Sequence, residues 1–246
     1  MRNRPRFRSL FGFPLIVDIL LGLAILALVG AGTIAAIALM LFHVLIGQPS
    51  PGVPPAGPTP LSGTLLFHDD FTDPASGWAQ VTLPAGTLRY VGSGYRIQLG
   101  TPNGGIAAPH PGLQNLGDVR VEVTVTDLGT LDDLGFGITC RDRNDDNHYD
   151  LTISGDGSAA IRKVKWGIPL NLALSGPQPG AVRPGHATNQ IRAECVGATL
   201  ALWANGQLLL AAQDTEFQAG RIRLIALAGP TPGVTVVFTD LRVLQP

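Results

Sequence analysis

The sequence predicts an all-β fold, an antiparallel jelly-roll sandwich, preceded by a single transmembrane α-helix. Three observations lead there. A 32-residue stretch from Leu15 to Ile46 is almost free of ionisable groups. The hydrophobic pattern beyond residue 63 has a period of two. The chain also holds 31 glycines and 20 prolines in 246 residues, a profile of turns and short strands rather than long helices.

Residues 1–13 form a basic tail with Arg2, Arg4, Arg6 and Arg8 and no acid. Residues 14–46 follow as the expected membrane span, interrupted only by Asp18 and His43 near its two ends. At about 1.5 Å per residue such a helix reaches roughly 48 Å, against a hydrocarbon core of roughly 30 Å, so both polar groups fall in the interfaces. The next basic residue after the span is Arg89, so the positive-inside rule places the N-terminus in the cytoplasm and the rest outside. A cleavable signal peptide shares the basic start, but its apolar region runs about 7–15 residues, so the length favours a retained signal anchor. The anchor contacts membrane lipid, and Ala27, Ala31 and Ala35 share one face on which a partner transmembrane helix can pack. Small residues are common in such helices, so plain lipid exposure is the simpler explanation of that face.

Residues 47–62 contain six prolines, three glycines and no charge, which favours an extended spacer of about 3.1 Å per residue. The segment 63–246 is then the folded domain. Val119, Val121, Val123 and Val125 alternate with Arg120, Glu122, Thr124 and Thr126, the signature of a strand buried on one face. The same alternation marks Tyr95–Leu99, Ile191–Cys195 and Arg221–Leu224. Asn205-Gly206 between two apolar runs predicts a type I′ hairpin. Gly155-Asp156-Gly157 reads as another hairpin turn, since no helix follows it. Roughly eleven to thirteen short strands are expected, enough for a two-sheet sandwich.

Charge excludes one class of partner. Residues 62–246 carry 13 basic and 17 acidic side chains, without the basic excess that phosphate binding needs, so no nucleic-acid partner is expected. No nucleophile elbow, zinc-protease motif or P-loop is present, and the only lysines are Lys163 and Lys165. The sequence therefore offers no catalytic motif of these kinds.

Asp142, Asn144 and Asp146 fall at alternate positions and offer hard oxygen ligands for Ca²⁺, but the glycine and distal glutamate of an EF-hand are absent. A solvated turn accounts for the same residues. Cys140 and Cys195 both follow inward-facing apolar residues, which leaves open either a disulfide, permitted outside the cytoplasm, or two buried thiols. Around the acidic loop Arg141, Asn147, His148, Asp150 and Lys163 present donors and acceptors suited to sugar hydroxyls, and Trp166 offers a ring for stacking on a pyranose.

Several longer motifs carry a resemblance. These are His68-Asp69-Asp70-Phe71-Thr72-Asp73 with Gly77-Trp78, Gly135-Phe136-Gly137-Ile138-Thr139-Cys140-Arg141, Asn189-Gln190-Ile191-Arg192-Ala193-Glu194-Cys195 and Leu202-Trp203-Ala204-Asn205-Gly206. Together they resemble bacterial concanavalin A-like lectin/glucanase domains, in the branch related to 3-keto-disaccharide hydrolase and laminin-G-like domains. The resemblance covers nearly all of residues 65–245, with Phe238-Thr239-Asp240 echoing Phe71-Thr72-Asp73 where first and last strands are expected to lie close. It implies a jelly-roll sandwich and glycan binding on one sheet face. It also implies glycan hydrolysis in some branches, for which laminarinase-type members carry Glu-x-Asp-x-x-Glu. This chain has only Glu122, Glu194 and Glu216, and none begins that pattern. The expectation is a membrane-anchored, extracytoplasmic glycan-binding module. The alternatives are an accessory subunit that docks on an extracytoplasmic protein and a hydrolase of modified disaccharides.

Overall fold

Alternation along the chain becomes two stacked layers. The structure is a computed structural model that describes residues 63–127, 135–230 and 233–246. The expected basic tail, the membrane span 14–46 and the spacer to residue 62 lie outside the described residues. Among those described there is no helix long and apolar enough to cross a membrane, and fifteen strands are found where eleven to thirteen were expected.

In chain order the strands are β1 (Thr64–Asp69), β2 (Val81–Leu83), β3 (Gly86–Val91), β4 (Gly94–Leu99), β5 (Gly105–Pro109), β6 (Val119–Asp127), β7 (Gly135–Asn144) and β8 (Asn147–Ser154). They continue as β9 (Ala159–Lys165), β10 (Ile168–Ser175), β11 (Thr188–Val196), β12 (Thr199–Ala204), β13 (Gln207–Gln213), β14 (Arg221–Leu227) and β15 (Thr235–Gln245). One sheet has nine strands in the order β13-β12-β11-β6-β15-β4-β3-β2, with β1 paired to β15. The other has six in the order β10-β9-β8-β7-β14-β5, and all the strand pairs are antiparallel.

The two inner faces make the core. Val119, Val121, Val123 and Val125 of β6 and Ile191, Ala193 and Cys195 of β11 are buried from the nine-stranded side. They meet Phe136, Ile138 and Cys140 of β7, Tyr149, Leu151 and Ile153 of β8 and Ile222, Leu224 and Ala226 of β14 in one cluster. Cys140 and Cys195 are bonded to each other, which ties one sheet to the other across that core.

The long opening motif proves to be structural. Asp69 is buried, and its Oδ1 accepts from the Phe71 backbone N–H at 2.7 Å. Its Oδ2 accepts from Ser76 Oγ at 2.6 Å and Trp78 Nε1 at 2.9 Å. These bonds hold Phe71 in a left-handed turn (φ 58°) and seat its ring against Trp78 and Tyr95. The Tyr95 hydroxyl donates to the Ala79 carbonyl at 2.6 Å, and burial pushes its pKa far upward.

The Asn205-Gly206 turn joins β12 to β13 with φ values of 50° and 82°, the geometry its sequence predicts. The turn at Gly155-Asp156-Gly157 joins β8 to β9, with no helix after it.

Candidate functional site

Because period two sends alternate residues to opposite faces, each core-facing residue of the six-stranded sheet has a neighbour on the outside. On β14 these outward residues are Arg221, Arg223, Ile225 and Leu227, on β8 His148 and Asp150, and on β5 Gly105, Ala107 and Pro109. They line a groove of about 830 Å³ closed at its sides by Leu83, Val164 and Pro169. Gly105, Ala107 and Gly135 leave room where larger side chains would fill it.

One end of the groove is polar and tightly networked. Asp142 is fully buried, with Oδ2 2.6 Å from Arg221 Nε and 3.1 Å from Arg223 Nε. Both are close ion pairs that miss the directional geometry of a hydrogen bond, so neither carboxylate oxygen of Asp142 has a hydrogen-bond partner. Asp145 Oδ1 accepts from Arg223 Nη1 at 2.9 Å and from Arg221 Nη2 at 3.3 Å. Nearby, His148 Nε2 lies 3.3 Å from Asp150 Oδ2, and Thr139 Oγ1 donates to Asp150 Oδ1 at 2.6 Å. His148 Nδ1 is 4.0 Å from Asp142 Oδ1 and has no hydrogen-bond partner. The other end of the groove is apolar, formed by Ala107, Ile225, Leu227 and Ala228.

The network depends on a close approach of backbones. A Cβ at Gly220 would lie 2.4 Å from the Arg141 carbonyl carbon and the Asp142 nitrogen, so only glycine lets the start of β14 reach the end of β7. The pairing there slips by a bulge between Arg221 and Arg223, and both side chains reach the same carboxylate.

No family model matches this chain, and no curated protein matches it. Solved structures do. A carbohydrate-binding module from Bacillus subtilis is 17% identical with a TM-score of 0.55, over 69% of this chain and 96% of that one. A beta-glucanase from Bacillus licheniformis is 12% identical with a TM-score of 0.57, over 76% of this chain and all of that one. The carbohydrate recognition domain of Emp47p is 11% identical with a TM-score of 0.53, over 74% and 97%. The fold that they share with this chain is an all-β antiparallel sandwich of the jelly-roll type. At these identities the likeness establishes the fold, and the branch within it stays an expectation of the motifs.

The residues singled out in the sequence separate into distinct places. His148 and Asp150 lie in the groove. Asn147 and Trp166 line a smaller cleft of about 380 Å³ with Arg143, Asn144 and Glu216. Trp166 is 76% exposed on the β9–β10 turn, with Lys165 Nζ 4.6 Å from its ring centroid. The other two tryptophans are engaged in packing: Trp78 in the core and Trp203 under the Arg192 guanidinium at 4.1 Å on the outer face of the nine-stranded sheet.

Two residues expected on the wet face are not available there. Arg141 takes a left-handed backbone (φ 49°) in the β7 bulge and is 1% exposed, donating to the Phe217 carbonyl at 3.1 Å and Asp118 Oδ1 at 3.0 Å. Lys163 shares the inward face of β9 with Ile161 and is held by Asp214 Oδ2 at 2.7 Å and Glu216 Oε2 at 2.6 Å. Burial works against its charge, but the hydrogen bonds to Asp214 and Glu216 outweigh that and raise its pKa. The same bonds fix the segment after β13, where Tyr149 Oη accepts from the Phe217 N–H at 3.0 Å and donates to Asp214.

The acidic loop also divides. Asn144 Oδ1 accepts from the Asp146 N–H at 3.1 Å and from Asn147 Nδ2 at 2.9 Å, which is turn chemistry, while Asp142 faces the arginines. Among the described residues no group of three or more His, Cys, Asp or Glu side chains is placed to hold a metal ion. The arginines Arg221 and Arg223 and the apolar pair Ile225 and Leu227 are the site residues that motif reading missed. Their signal was the alternation of β14, which put two cations on its wet face.

Proposed function

We propose that this protein is a membrane-anchored, extracytoplasmic module that binds a saccharide in the outer groove of its six-stranded sheet. The observation that carries this reading is the groove itself. It combines buried, oriented polar groups (Arg223, His148, Asp150) with an apolar half, as a sugar with hydroxyl edges and C–H faces requires. The carbohydrate-binding names of the similar structures support the same reading. Extracytoplasmic placement is supported by the buried disulfide, since such bonds persist in oxidising compartments. In this proposal residues 14–46 contact lipid and residues 47–62 hold the sandwich away from it. Binding is preferred to hydrolysis because the groove's carboxylates are already engaged: Asp142 by two arginines and Asp150 by Thr139 and His148.

The full chain, held in detergent, should bind at least one member of a panel of neutral and acidic oligosaccharides. Ala107→Trp, which fills the groove from its β5 edge, should abolish that binding, and Trp166→Ala should leave it. Binding of no saccharide sinks the proposal, as does binding lost in Trp166→Ala and untouched by Ala107→Trp.

A second reading, a docking subunit of a membrane assembly, is favoured by one feature. The edge strand β10, paired on one side only to β9, carries no charge and exposes Ile168, Leu170 and Leu174. A stoichiometric partner recovered in detergent and lost on Leu170→Lys would select it.

A further inference from the structure

The two groove arginines are built to take a carboxylate, and the protein supplies one of its own. Arg221 and Arg223 stand two residues apart on the same face of β14. Asp142 draws both Nε atoms from beneath, at 2.6 and 3.1 Å, which fixes the direction in which their Nη atoms point. Those Nη atoms carry Asp145, through a single oxygen that accepts from both. The two acids differ sharply in setting: Asp142 is sealed in, whereas the Asp145 side chain is 85% exposed on the β7–β8 turn. An exposed ion pair contributes little, about 0–1 kcal/mol, so Asp145 is the displaceable partner and Asp142 the fixed one. The groove lining contains no Phe, Tyr or Trp side chain among the described residues, so it lacks the broad stacking platform that a neutral pyranose favours. Its strongest recognition elements are instead two preoriented guanidinium groups, whose donors match a planar carboxylate. With Asp145 displaced, the basic side chains Arg162, Arg221 and Arg223 at the groove outnumber the acidic side chains Asp142 and Asp150.

We infer that the groove selects an acidic saccharide of the uronic-acid type. Its carboxylate takes the place of Asp145 on Arg221 and Arg223, and its ring lies against Ile225 and Ala107. Asp142 is then a positioning residue and Asp145 a built-in competitor that holds the arginines in place while the groove is empty. This inference rests on the saccharide-binding reading and narrows it.

The test uses one sugar backbone with and without its charge. Binding of an oligogalacturonide and of its fully methyl-esterified form is measured for the full chain in detergent, in the parent and in Asp145→Asn. Asp145 is exposed, so the variant folds, and unchanged urea unfolding checks this. The acid is expected to bind at least tenfold more tightly than the ester. Asp145→Asn should tighten the acid several-fold and leave the ester unchanged, and Arg221→Gln should remove the preference. Equal binding of acid and ester, or an acid affinity unmoved by Asp145→Asn, overturns the inference while leaving saccharide binding in place. Failure to bind the acid, the ester and every neutral oligosaccharide overturns both.

Discussion

Removing the bridge between the sheets should cost this domain a large share of its stability. Cys140 and Cys195 are both fully buried, and the bond closes a loop with a sequence separation of 55 residues. On the chain-entropy model that closure removes about 14 cal/mol/K from the unfolded ensemble, or about 4 kcal/mol at 25 °C. Domain stabilities lie at about 5–15 kcal/mol, so the loss is a large share of the total. With a urea m-value of about 2 kcal/mol/M, the midpoint of Cys140→Ala/Cys195→Ala should fall by about 2 M. Equilibrium urea unfolding of the parent and of the double variant measures it directly. Coincident midpoints would refute the argument, because they would mean the loop was already constrained without the bond. The result also bears on place: a domain that loses this much on reduction is suited to an oxidising compartment.

Three further outcomes follow from particular contacts. Asp69→Ala strands the Phe71 N–H and Trp78 Nε1 and should cost about 2–4 kcal/mol in urea unfolding, with Asp69→Asn recovering part of it. The Tyr149 phenol is pushed up to about 12, first by burial and then by its hydrogen bond to Asp214. A raised folded pKa means stability is intact below pH about 10, where the unfolded phenol is neutral, and is lost as pH rises towards about 12. The loss should reach about 2–3 kcal/mol, read by unfolding at stepped pH, and Tyr149→Phe should flatten that slope. Gly220→Ala drives a methyl into the Arg141–Asp142 peptide, so it should destabilise by about 1–3 kcal/mol and weaken saccharide binding together; unchanged binding would show that the arginine pair tolerates displacement of β14.

The fold was legible because one signal, strict alternation, repeats along most strands. The valines of β6 face inward as their spacing requires, and Asn205-Gly206 turns where its conformational freedom permits. The placement of the candidate residues was half legible. His148 and Asp150 obey the alternation of β8, so reading them as outward-facing placed them in the groove. Arg141 failed because a bulge reverses the parity on which the reading depended, and local sequence does not announce a bulge that the approach of Gly220 helps to shape. Lys163 failed for a different reason. It lies at the end of an inward face where the core gives way to polar partners, and those partners, Asp214 and Glu216, are about fifty residues away in sequence. The role of the opening His-Asp-Asp-Phe motif was not legible, since the three bonds to Asp69 form only when the turn closes.

In the proposed reading a saccharide occupies the outer groove of the six-stranded sheet. Amide hydrogen exchange of the full chain in detergent, with and without a saturating bound oligosaccharide, tests it most directly. Added protection is expected along β5, β7, β8 and β14, strongest at Ala107 and Ala108 and from Arg221 to Ile225. Protection confined to the Trp166 turn or to the outer face of the nine-stranded sheet would contradict it.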